Sequence, residues 1–440
     1  MADARISPRT VGLAFLVAAL AVRALACFVL IPSWESSAGV PPAPDSYPDL
    51  ARTLLTERTL GYGSAGATPT TIRGPGFPAW LASGILTGGE GHGWLAFWTS
   101  LPAIFASAAI AGILAARVGL IAGLAGGLVA AAHPLPVIVS GRILSDEFSG
   151  VLAVAAIWLL PLALRDMNAA IAAGAALGWH LLTRPTGLLT LGAIVLLIPA
   201  LRRGPEGAGG WKRGPVLCVL LLGLLPPLLW SARTSALEER PVWVSSLAGY
   251  NYWLGRGFTA ESAAAPGEAW SHVRPAAIAR AGDAGALLEG RSYTDLAPRE
   301  AAAFDRSLTE AAVAEIRSDP GAFLARSAAG LARFWYRAET EPRSRQYLIA
   351  ALPVLLLALA GLAVLRRRPP EALAGFDRRV AAGLALFIAL HWLAGAAIIP
   401  MARYSAQLYP ALAVFAGLGA AHLFGRRAPR VEEPVTRRAA

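Results

Sequence analysis

Carboxylates and a guanidinium lie in the polar stretch from Pro44 to Trp80, which follows the first long apolar run. Asp45 and Asp49 are near its start, and Arg73 precedes a sequence rich in glycine and proline. A carboxylate that reaches a hydroxyl can act as a general base, and a guanidinium binds phosphate through several hydrogen bonds at once. The structural alternatives are helix capping for the acids and pairing with lipid head groups for the arginine. Asp45 and Asp49 both remain candidates for the base.

Further ionisable residues occur where later apolar runs begin or end. Asp146 and Glu147 open one such run, and Arg142 stands just before it. Because acids that face lipid are costly, we expect these two either to face a cavity shared with Asp45 or to stabilise a helix N-terminus through its dipole. Each of the later arginines could simply anchor a helix at the interface. Together with Arg73, however, they predict a phosphate site. They are Arg184, Arg233 and Arg403.

The apolar runs around these groups predict a membrane protein. Of the 440 residues, 55% are hydrophobic and only 15% are charged, and the mean hydropathy is +0.52. Soluble domains carry about a quarter charged residues, so this chain has too little polar surface for a water-soluble globule. We predict an all-α polytopic fold with about ten transmembrane helices, some short or broken. The predicted spans are 11–31, 92–116, 119–138, 147–164, 168–182, 186–201, 214–231, 346–365, 379–399 and 402–424. The short pair at 168–182 and 186–201, separated by Thr183-Arg184-Pro185, fits two spans or one re-entrant hairpin.

The basic residues predict an orientation. The net charge of +11 comes from residues beside apolar runs, which is typical of the positive-inside rule and not of a nucleic-acid surface. Arg5 and Arg9 place the N-terminus in the cytoplasm, and ten crossings place the C-terminus there as well. Later basic residues then fall on the same side, at 117, 165, 202–203, 212–213, 366–368, 378–379 and 426–427. The candidate residues fall on the outer face of what we predict to be a bacterial plasma (inner) membrane.

This topology divides the chain into four regions. Residues 1–231 form an N-terminal transmembrane domain with the outer loop 32–91, and residues 232–345 form a small, mainly helical extracytoplasmic domain. Residues 346–425 form C-terminal transmembrane helices, and residues 426–440 form a cytoplasmic basic tail. Within 232–345, an apolar stripe of Phe304, Leu308, Val313 and Ile316 predicts a helix over 297–318. Cys27 and Cys218 lie in apolar runs, so no disulfide or zinc site is predicted.

Short motifs along most of the chain resemble, in their order, those of the GT-C superfamily of membrane glycosyltransferases. The resemblance is greatest to the bacterial branch related to protein O-mannosyltransferases and lipid A aminoarabinose transferases. The matching motifs are Asp45 with Tyr47, Leu50 and Ala51; Arg73 with the GPGFP that follows; Leu144-Ser145-Asp146; Thr183-Arg184-Pro185; Trp230 with Arg233; the SSLAGYN run from Ser245 to Asn251; Asp319-Pro320 with Phe334-Trp335; and Arg403-Tyr404 with Pro410. The chain departs from many relatives at Ser46, where a second acid usually follows the first, and at Asp146, where glutamate is usual.

The resemblance implies a sugar donor on a polyprenyl phosphate and an acceptor that is a glycan, a lipid or a protein. Asp45 would take the proton from the acceptor hydroxyl, with inversion at the anomeric carbon, and Asp146 would orient the acceptor or bind a divalent cation. No other cofactor is implied, and membrane lipids would surround the chain. The phosphate would lie among Arg73, Arg184, Arg233 and Arg403. The remaining substrate contacts would come from Tyr47, Asp49, Arg142, Glu147, Tyr250, Asn251 and Tyr404.

Three alternatives to this enzyme remain open. A transporter or flippase of lipid-linked substrates predicts polar residues deep within the spans and two repeated halves, whereas the polar groups here lie mainly at the outer ends of the runs. A non-catalytic membrane partner with an outer binding domain predicts no convergence of Asp45, Asp146 and the arginines. An inactive relative would keep the fold without a working base. The observation that separates these classes is whether the candidate side chains meet in one cavity.

Overall fold

The computed structural model describes residues 6–38, 45–62, 68–202, 211–259, 293–338, 340–366 and 377–425. The predicted tail, 426–440, lies outside these ranges, as does 260–292 in the middle of the predicted extracytoplasmic domain. Within the described ranges, nearly all regular structure is helical. The predicted division into four regions therefore stays a prediction.

Helices up to residue 238 are, in chain order, α1 Pro8–Leu25, α2 Ile31–Ala38, α3 Tyr47–Thr56, α4 Gly76–Gly88, α5 His92–Arg117, α6 Leu120–Ala132, α7 Pro134–Gly141, α8 Ser145–Ala163, α9 Met167–Thr183, α10 Gly187–Arg202 and α11 Arg213–Glu238. A π-helical turn, Ala26–Leu30, joins α1 to α2. Two short strands, β1 Gly61–Tyr62 and β2 Thr68–Pro69, pair antiparallel, with Gly61 opposite Pro69 and Tyr62 opposite Thr68.

Helices after residue 238 are α12 Ala248–Thr259, α13 Pro298–Ser318, α14 Pro320–Tyr336, α15 Glu341–Arg366, α16 Arg378–Ile398, α17 Ala402–Ser405 and α18 Tyr409–Phe424. Short 3₁₀ turns lie at Tyr293–Asp295 and Ala406–Leu408. In α13, Phe304 and Leu308 are buried as the apolar stripe predicts, but Val313 is 39% exposed, because Ala312 takes the buried position.

Eight segments of the described chain are long and apolar enough to cross a membrane. They are Pro8–Ser36, His92–Arg117, Leu120–Gly141, Ser145–Ala163, Arg213–Glu238, Glu341–Arg366, Arg378–Ile398 and Ala402–Phe424. The other two predicted spans coincide with α9 and α10, which have 17 and 16 residues. At a rise of about 1.5 Å per residue they are roughly 25 Å long, shorter than a hydrocarbon core of about 30 Å. The all-α polytopic fold is confirmed.

The break between α9 and α10 has a local cause. Pro185 disfavours helical geometry in the residue before it, and Arg184 is extended, with φ −145° and ψ 140°. The helix therefore ends at Thr183, and the chain resumes helical geometry at Gly187. This places Arg184 at the turn between two apolar helices, as the sequence predicts.

The helix α18 forms the centre of the bundle, since every residue from Tyr409 to Ala420 is buried. It packs closely on α15, because a side chain at Gly361 or Gly419 would meet the backbone of the facing helix. Small residues at such contacts let transmembrane helices approach one another. Just before α18, the turn at Ala406–Leu408 packs on α8, since a side chain at Gly150 would meet the backbone of Gln407.

The first polar stretch packs onto the start of α8. Tyr47 and Leu50 on α3 share one buried cluster with Phe77 on α4 and Phe148 on α8. The hydroxyl of Thr53 donates to the Gly61 carbonyl oxygen at 2.7 Å and ties α3 to the β-ribbon. Asp45 directly precedes α3, so this packing holds it next to the N-terminal turn of α8, where Asp146 lies.

Candidate active site

Asp45 lies between two arginines from distant parts of the chain. Its Oδ2 accepts a hydrogen bond from Nη2 of Arg403, and its Oδ1 lies 3.2 Å from Nη2 of Arg73. Arg73 comes from the turn before α4, and Arg403 from α17. The carboxylate is 13% exposed, so it is shielded from bulk water but still accessible.

Asp146, which is fully buried, links the same cluster to the break between α9 and α10. Its Oδ1 lies 2.6 Å from Nη1 of Arg184, and its Oδ2 lies 3.3 Å from Nε of Arg403. Position in the first turn of α8 also favours a carboxylate through the helix dipole. Arg403 therefore bridges the two acids. We call these five residues the Asp45–Asp146 cluster: Asp45, Asp146, Arg73, Arg184 and Arg403.

Two tyrosines support the guanidinium groups of the cluster. Arg73 lies over the Tyr47 ring, with its guanidinium carbon 5.3 Å from the centroid. Arg184 and Arg403 lie over the Tyr404 ring at 5.4 and 5.5 Å. The Tyr47 and Ser145 hydroxyls are 3.2 Å apart. Such ring contacts stabilise desolvated cations, so both tyrosines help to position the arginines.

The cluster carries more positive than negative charge, because three guanidinium groups face two carboxylates. Burial by itself would raise the pKa of Asp45, but attraction to Arg403 and Arg73 outweighs this and holds the pKa well below its usual range. Burial likewise opposes the charge on Arg73, and the Asp45 carboxylate more than compensates by raising its pKa. Both groups are therefore ionised in this arrangement, and the excess positive charge can attract an anion.

A cavity of about 360 Å³ opens beside the cluster. The polar part of its lining includes Tyr47, Tyr404, Asn251 and the three arginines. The apolar part includes Leu188, Leu189, Phe334, Ile398 and Ile399. Three buried side-chain oxygen atoms on the lining have no hydrogen-bond partner among the described residues, namely Oγ1 of Thr186, Oγ of Ser245 and Oε1 of Gln407. The cavity therefore offers cationic groups, uncommitted polar oxygens and apolar surface.

Thr186 and Gln407 are lining residues that the sequence analysis did not single out, and Ser245 appeared there only as the first residue of the SSLAGYN motif. Gln407 is an amide within the last apolar run, and Thr186 directly follows Arg184-Pro185. Both features were visible in the sequence. Which way such small polar side chains point depends on helix rotation, so only the structure assigns them to the cavity.

Glu147, next to Asp146, lies outside the cluster. Its carboxylate forms two hydrogen bonds with Arg23, from Nη2 at 2.5 Å and from Nη1 at 2.7 Å, and also accepts one from the Ser140 hydroxyl. Arg23 also donates to the Pro136 carbonyl oxygen at 3.2 Å. Both charged side chains are almost fully buried, at 1% and 2% exposure. We call this unit the Arg23–Glu147 pair.

Three other candidates also lie away from the cluster. Asp49 pairs with Arg52 at 2.9 Å on the surface, where both side chains are nearly half exposed. Arg233 stacks on Trp230, 4.4 Å from the ring centroid. Tyr250 is buried in the core of the 232–345 segment, where its backbone N–H donates to Asp305.

Arg142 lies behind the cluster. Its Nε is 3.5 Å from Oε1 of Glu35, and it borders a second small cavity of about 30 Å³ together with Arg403. The roles of all these residues, inside the cluster and outside it, stay predictions.

The two acids of the cluster do not fit a divalent cation in this arrangement. Every carboxylate oxygen of Asp45 and Asp146 faces a guanidinium nitrogen. A hard cation requires several free oxygen ligands. Across the described residues, no group of three or more His, Cys, Asp or Glu side chains could hold a metal ion.

No family model and no curated protein matches the chain. Among solved structures, the oligosaccharyltransferase AglB from Archaeoglobus fulgidus, in complex with an inhibitory peptide and a dolichol-phosphate, is 14% identical, with a TM-score of 0.47. The match covers 92% of this chain and 50% of that chain, so the chain spans half the length of this neighbour.

ArnT from Cupriavidus metallidurans matches in two states. The apo structure is 16% identical over 86% of this chain and 73% of that chain, with a TM-score of 0.37. The structure bound to undecaprenyl phosphate is 14% identical over 92% and 77%, with a TM-score of 0.41.

Proposed function

We propose that the chain is an inverting glycosyltransferase that moves a sugar from a polyprenyl-phosphate donor to an acceptor hydroxyl at the outer face of a bacterial plasma membrane. One observation carries this proposal: three arginines that line one cavity, Arg73, Arg184 and Arg403, also pair with Asp45 and Asp146, and these five residues come from distant parts of the chain. A non-catalytic membrane partner has no need of such convergence. A positive charge without a neutralising partner is costly inside a membrane protein. A site with more guanidinium groups than carboxylates therefore indicates an anionic ligand.

The cavity fits a lipid phosphate better than it fits a free sugar phosphate. Arg73, Arg184 and Arg403 supply donors for the phosphate oxygens. Leu188, Leu189 and Ile398, which line the same cavity, offer apolar surface to the first units of a prenyl chain. The hydroxyls of Thr186 and Ser245 and the amide oxygen of Gln407 remain for polar groups of the donor. A donor with a charged head and an apolar tail satisfies each of these surfaces.

The transfer step follows from this placement. Asp45 takes the proton of the acceptor hydroxyl while the hydroxyl oxygen attacks the anomeric carbon. The bond from that carbon to the phosphate oxygen breaks, and its electron pair leaves with the polyprenyl phosphate. Attack from the side opposite the leaving group inverts the anomeric centre. The arginines stabilise the charge that develops on the leaving phosphate, which is the kind of electrostatic assistance that a water-poor site makes most effective.

Donor binding also makes Asp45 a stronger base. In the structure, Arg403 and Arg73 hold its pKa low, which weakens it as a proton acceptor. A bound phosphate attracts the same two guanidinium groups and draws them away from the carboxylate. The pKa of Asp45 therefore rises when the donor is present, and proton transfer becomes favourable only with the donor in place.

The transporter alternative receives less support. It predicts polar groups deep in the membrane that a substrate can reach. The Arg23–Glu147 pair is charged and lies within two apolar segments, but its members are only 1% and 2% exposed and already bond one another. This pair is enclosed in protein and offers no path for a substrate.

A transfer assay with the whole chain in proteoliposomes tests the proposal. The assay supplies polyprenyl-phosphate sugars and a mixture of candidate glycan, lipid and protein acceptors. We expect Asp45→Asn to lower the transfer rate by about 10²–10⁴-fold, the usual contribution of a general base. Asp49→Asn tests the rival acid, and we expect it to retain transfer because Asp49 pairs with Arg52 at the surface. Full transfer by Asp45→Asn would remove Asp45 as the base.

A further inference from the structure

A second and larger cavity lies at the opposite end of the bundle from the Asp45–Asp146 cluster. It is an open cleft of about 1090 Å³ between α1 and α5 on one side and α8 and α16 on the other. The helix α8 runs from the cluster at Asp146 to the cleft at Leu162. These two positions are 16 residues apart within α8, which corresponds to about 24 Å along the helix axis. The cleft and the cluster therefore lie toward opposite ends of α8.

The rim of the cleft is cationic. Arg9, Arg117, Arg165 and Arg379 come from four separate segments and all border it. Arg379 is neutralised by Asp377, with its Nη2 2.8 Å from Oδ2 of the carboxylate. In the parts of the chain that the structure describes, the other three have no carboxylate within ion-pairing distance. Three arginines therefore border one cleft, and none of them is paired with a carboxylate among the described residues.

The floor of the cleft is apolar. Leu13 and Leu162 both line it and are 63% and 57% exposed. Trp158 and Ile113 also contribute to the lining. The helices α1 and α5 pack closely beside the cleft, because Gly12 and Gly112 bring their backbones into near contact. The cleft is thus an open, largely apolar groove that is bordered by arginines.

We propose that this cleft binds an anionic phospholipid from the leaflet opposite the donor, with the phosphate among Arg9, Arg117 and Arg165 and an acyl chain against Leu13 and Leu162. Charge complementarity selects the head group, since basic pockets between transmembrane helices bind anionic lipid heads. The apolar floor selects a lipid over a free phosphate, because an inorganic anion leaves that surface in contact with water. The bound lipid joins α1 and α5 to α8 and α16. This site does not depend on the transfer reaction proposed above.

Native mass spectrometry of the whole chain in detergent, titrated with phosphatidylglycerol or phosphatidylcholine, tests this proposal. We expect saturable binding of phosphatidylglycerol and at least about tenfold weaker binding of phosphatidylcholine. The double variant Arg117→Gln with Arg165→Gln should weaken phosphatidylglycerol binding roughly 30-fold, as expected for two basic residues at an anionic surface. Both side chains are at least partly exposed, so the fold should survive.

A matched control is Arg213→Gln with Arg378→Gln, which removes the same charge from two exposed arginines outside the cleft, at the starts of α11 and α16. We expect its affinity to stay within about twofold of wild type. Leu162→Trp fills the apolar floor without changing charge and should weaken phospholipid binding. Equal binding of both lipids, an equal loss in the control, no effect of Leu162→Trp, or displacement of the lipid by millimolar inorganic phosphate would each overturn the proposal.

Discussion

Asp146 and Glu147 are adjacent in the chain, yet they belong to two regions with opposite character. Asp146 joins the Asp45–Asp146 cluster, whose three arginines exceed its two acids and which borders a cavity. Glu147 belongs to the Arg23–Glu147 pair, where one cation meets one anion and almost no surface is exposed. Successive residues on a helix point about 100° apart, so one turn of α8 serves both regions.

The comparison distinguishes a candidate binding site from a structural ion pair. Removing two charges from water costs several kcal/mol per ion, and only close, well-bonded pairing compensates for it. In the Arg23–Glu147 pair, the hydrogen bonds between the two side chains offset the cost of burying their charges. No charged group of the pair is free to bind a substrate, and the pair joins α1 to α8. In the Asp45–Asp146 cluster, two carboxylates neutralise only part of the charge of three guanidinium groups. An arginine of the cluster can therefore exchange a carboxylate contact for a contact with a phosphate.

The largest expected effect is the loss of stability when the Arg23–Glu147 pair is broken. Glu147→Gln leaves Arg23 charged, buried and without its anion, and we expect the free energy of unfolding to fall by about 3–5 kcal/mol. Chemical unfolding in detergent, followed by circular dichroism, measures the loss. The double variant Arg23→Met with Glu147→Met should recover most of it, because a buried pair can be replaced by apolar residues at little cost. Unchanged stability of the single variant would contradict a structural role for the pair.

Removing one arginine of the cluster should affect rate more than stability. Arg184→Gln takes one donor from the phosphate site, and we expect transfer to slow by about 10²–10³-fold. Unfolding should change less than it does for Glu147→Gln, because Asp146 keeps Arg403 as a partner. Arg52→Gln is the control, since Arg52 also pairs with acids but lies at the surface. If Arg184→Gln destabilised the fold as much as Glu147→Gln and left transfer unchanged, the distinction between the binding site and the structural ion pair would be wrong.

The smallest expected effect is on pH dependence. Because the arginines hold the pKa of Asp45 below its usual range, the ionised carboxylate stabilises the folded state at every pH above the pKa of an unfolded aspartate, about 3.9. This stabilisation is lost as the pH falls from there through the lower folded-state pKa. The difference in unfolding free energy between wild type and Asp45→Asn should therefore be constant from about pH 8 to pH 5 and shrink below about pH 4. A difference that already shrinks near pH 6 would contradict the ionised cluster.

Several residues of the cluster could be predicted from the sequence, because charged residues are rare in apolar segments and costly there without a partner. In hydrocarbon, Asp45, Asp146, Arg184 and Arg403 each require a partner, and their positions at the ends of apolar runs placed them at one depth. The same reasoning could not separate Asp146 from Glu147, or Asp45 from Asp49, since each pair shares a segment and a chemistry. The rotation of α8 about its axis decides between Asp146 and Glu147, and the conformation of the chain just before α3 decides between Asp45 and Asp49. Both are fixed by packing on neighbouring helices.

The sequence by itself determined the all-α polytopic class, the positions of the membrane segments and the break at Arg184-Pro185. These follow from local properties, namely the length of apolar runs and the backbone restriction that proline imposes. Only the tertiary structure decided that Arg403 binds Asp45, 358 residues away in the chain. It also decided that Glu147 pairs with Arg23. The three cavity-lining residues Thr186, Ser245 and Gln407 could likewise be assigned only from the structure. Those outcomes depend on which helix faces which, and side-chain packing across the whole bundle sets that choice.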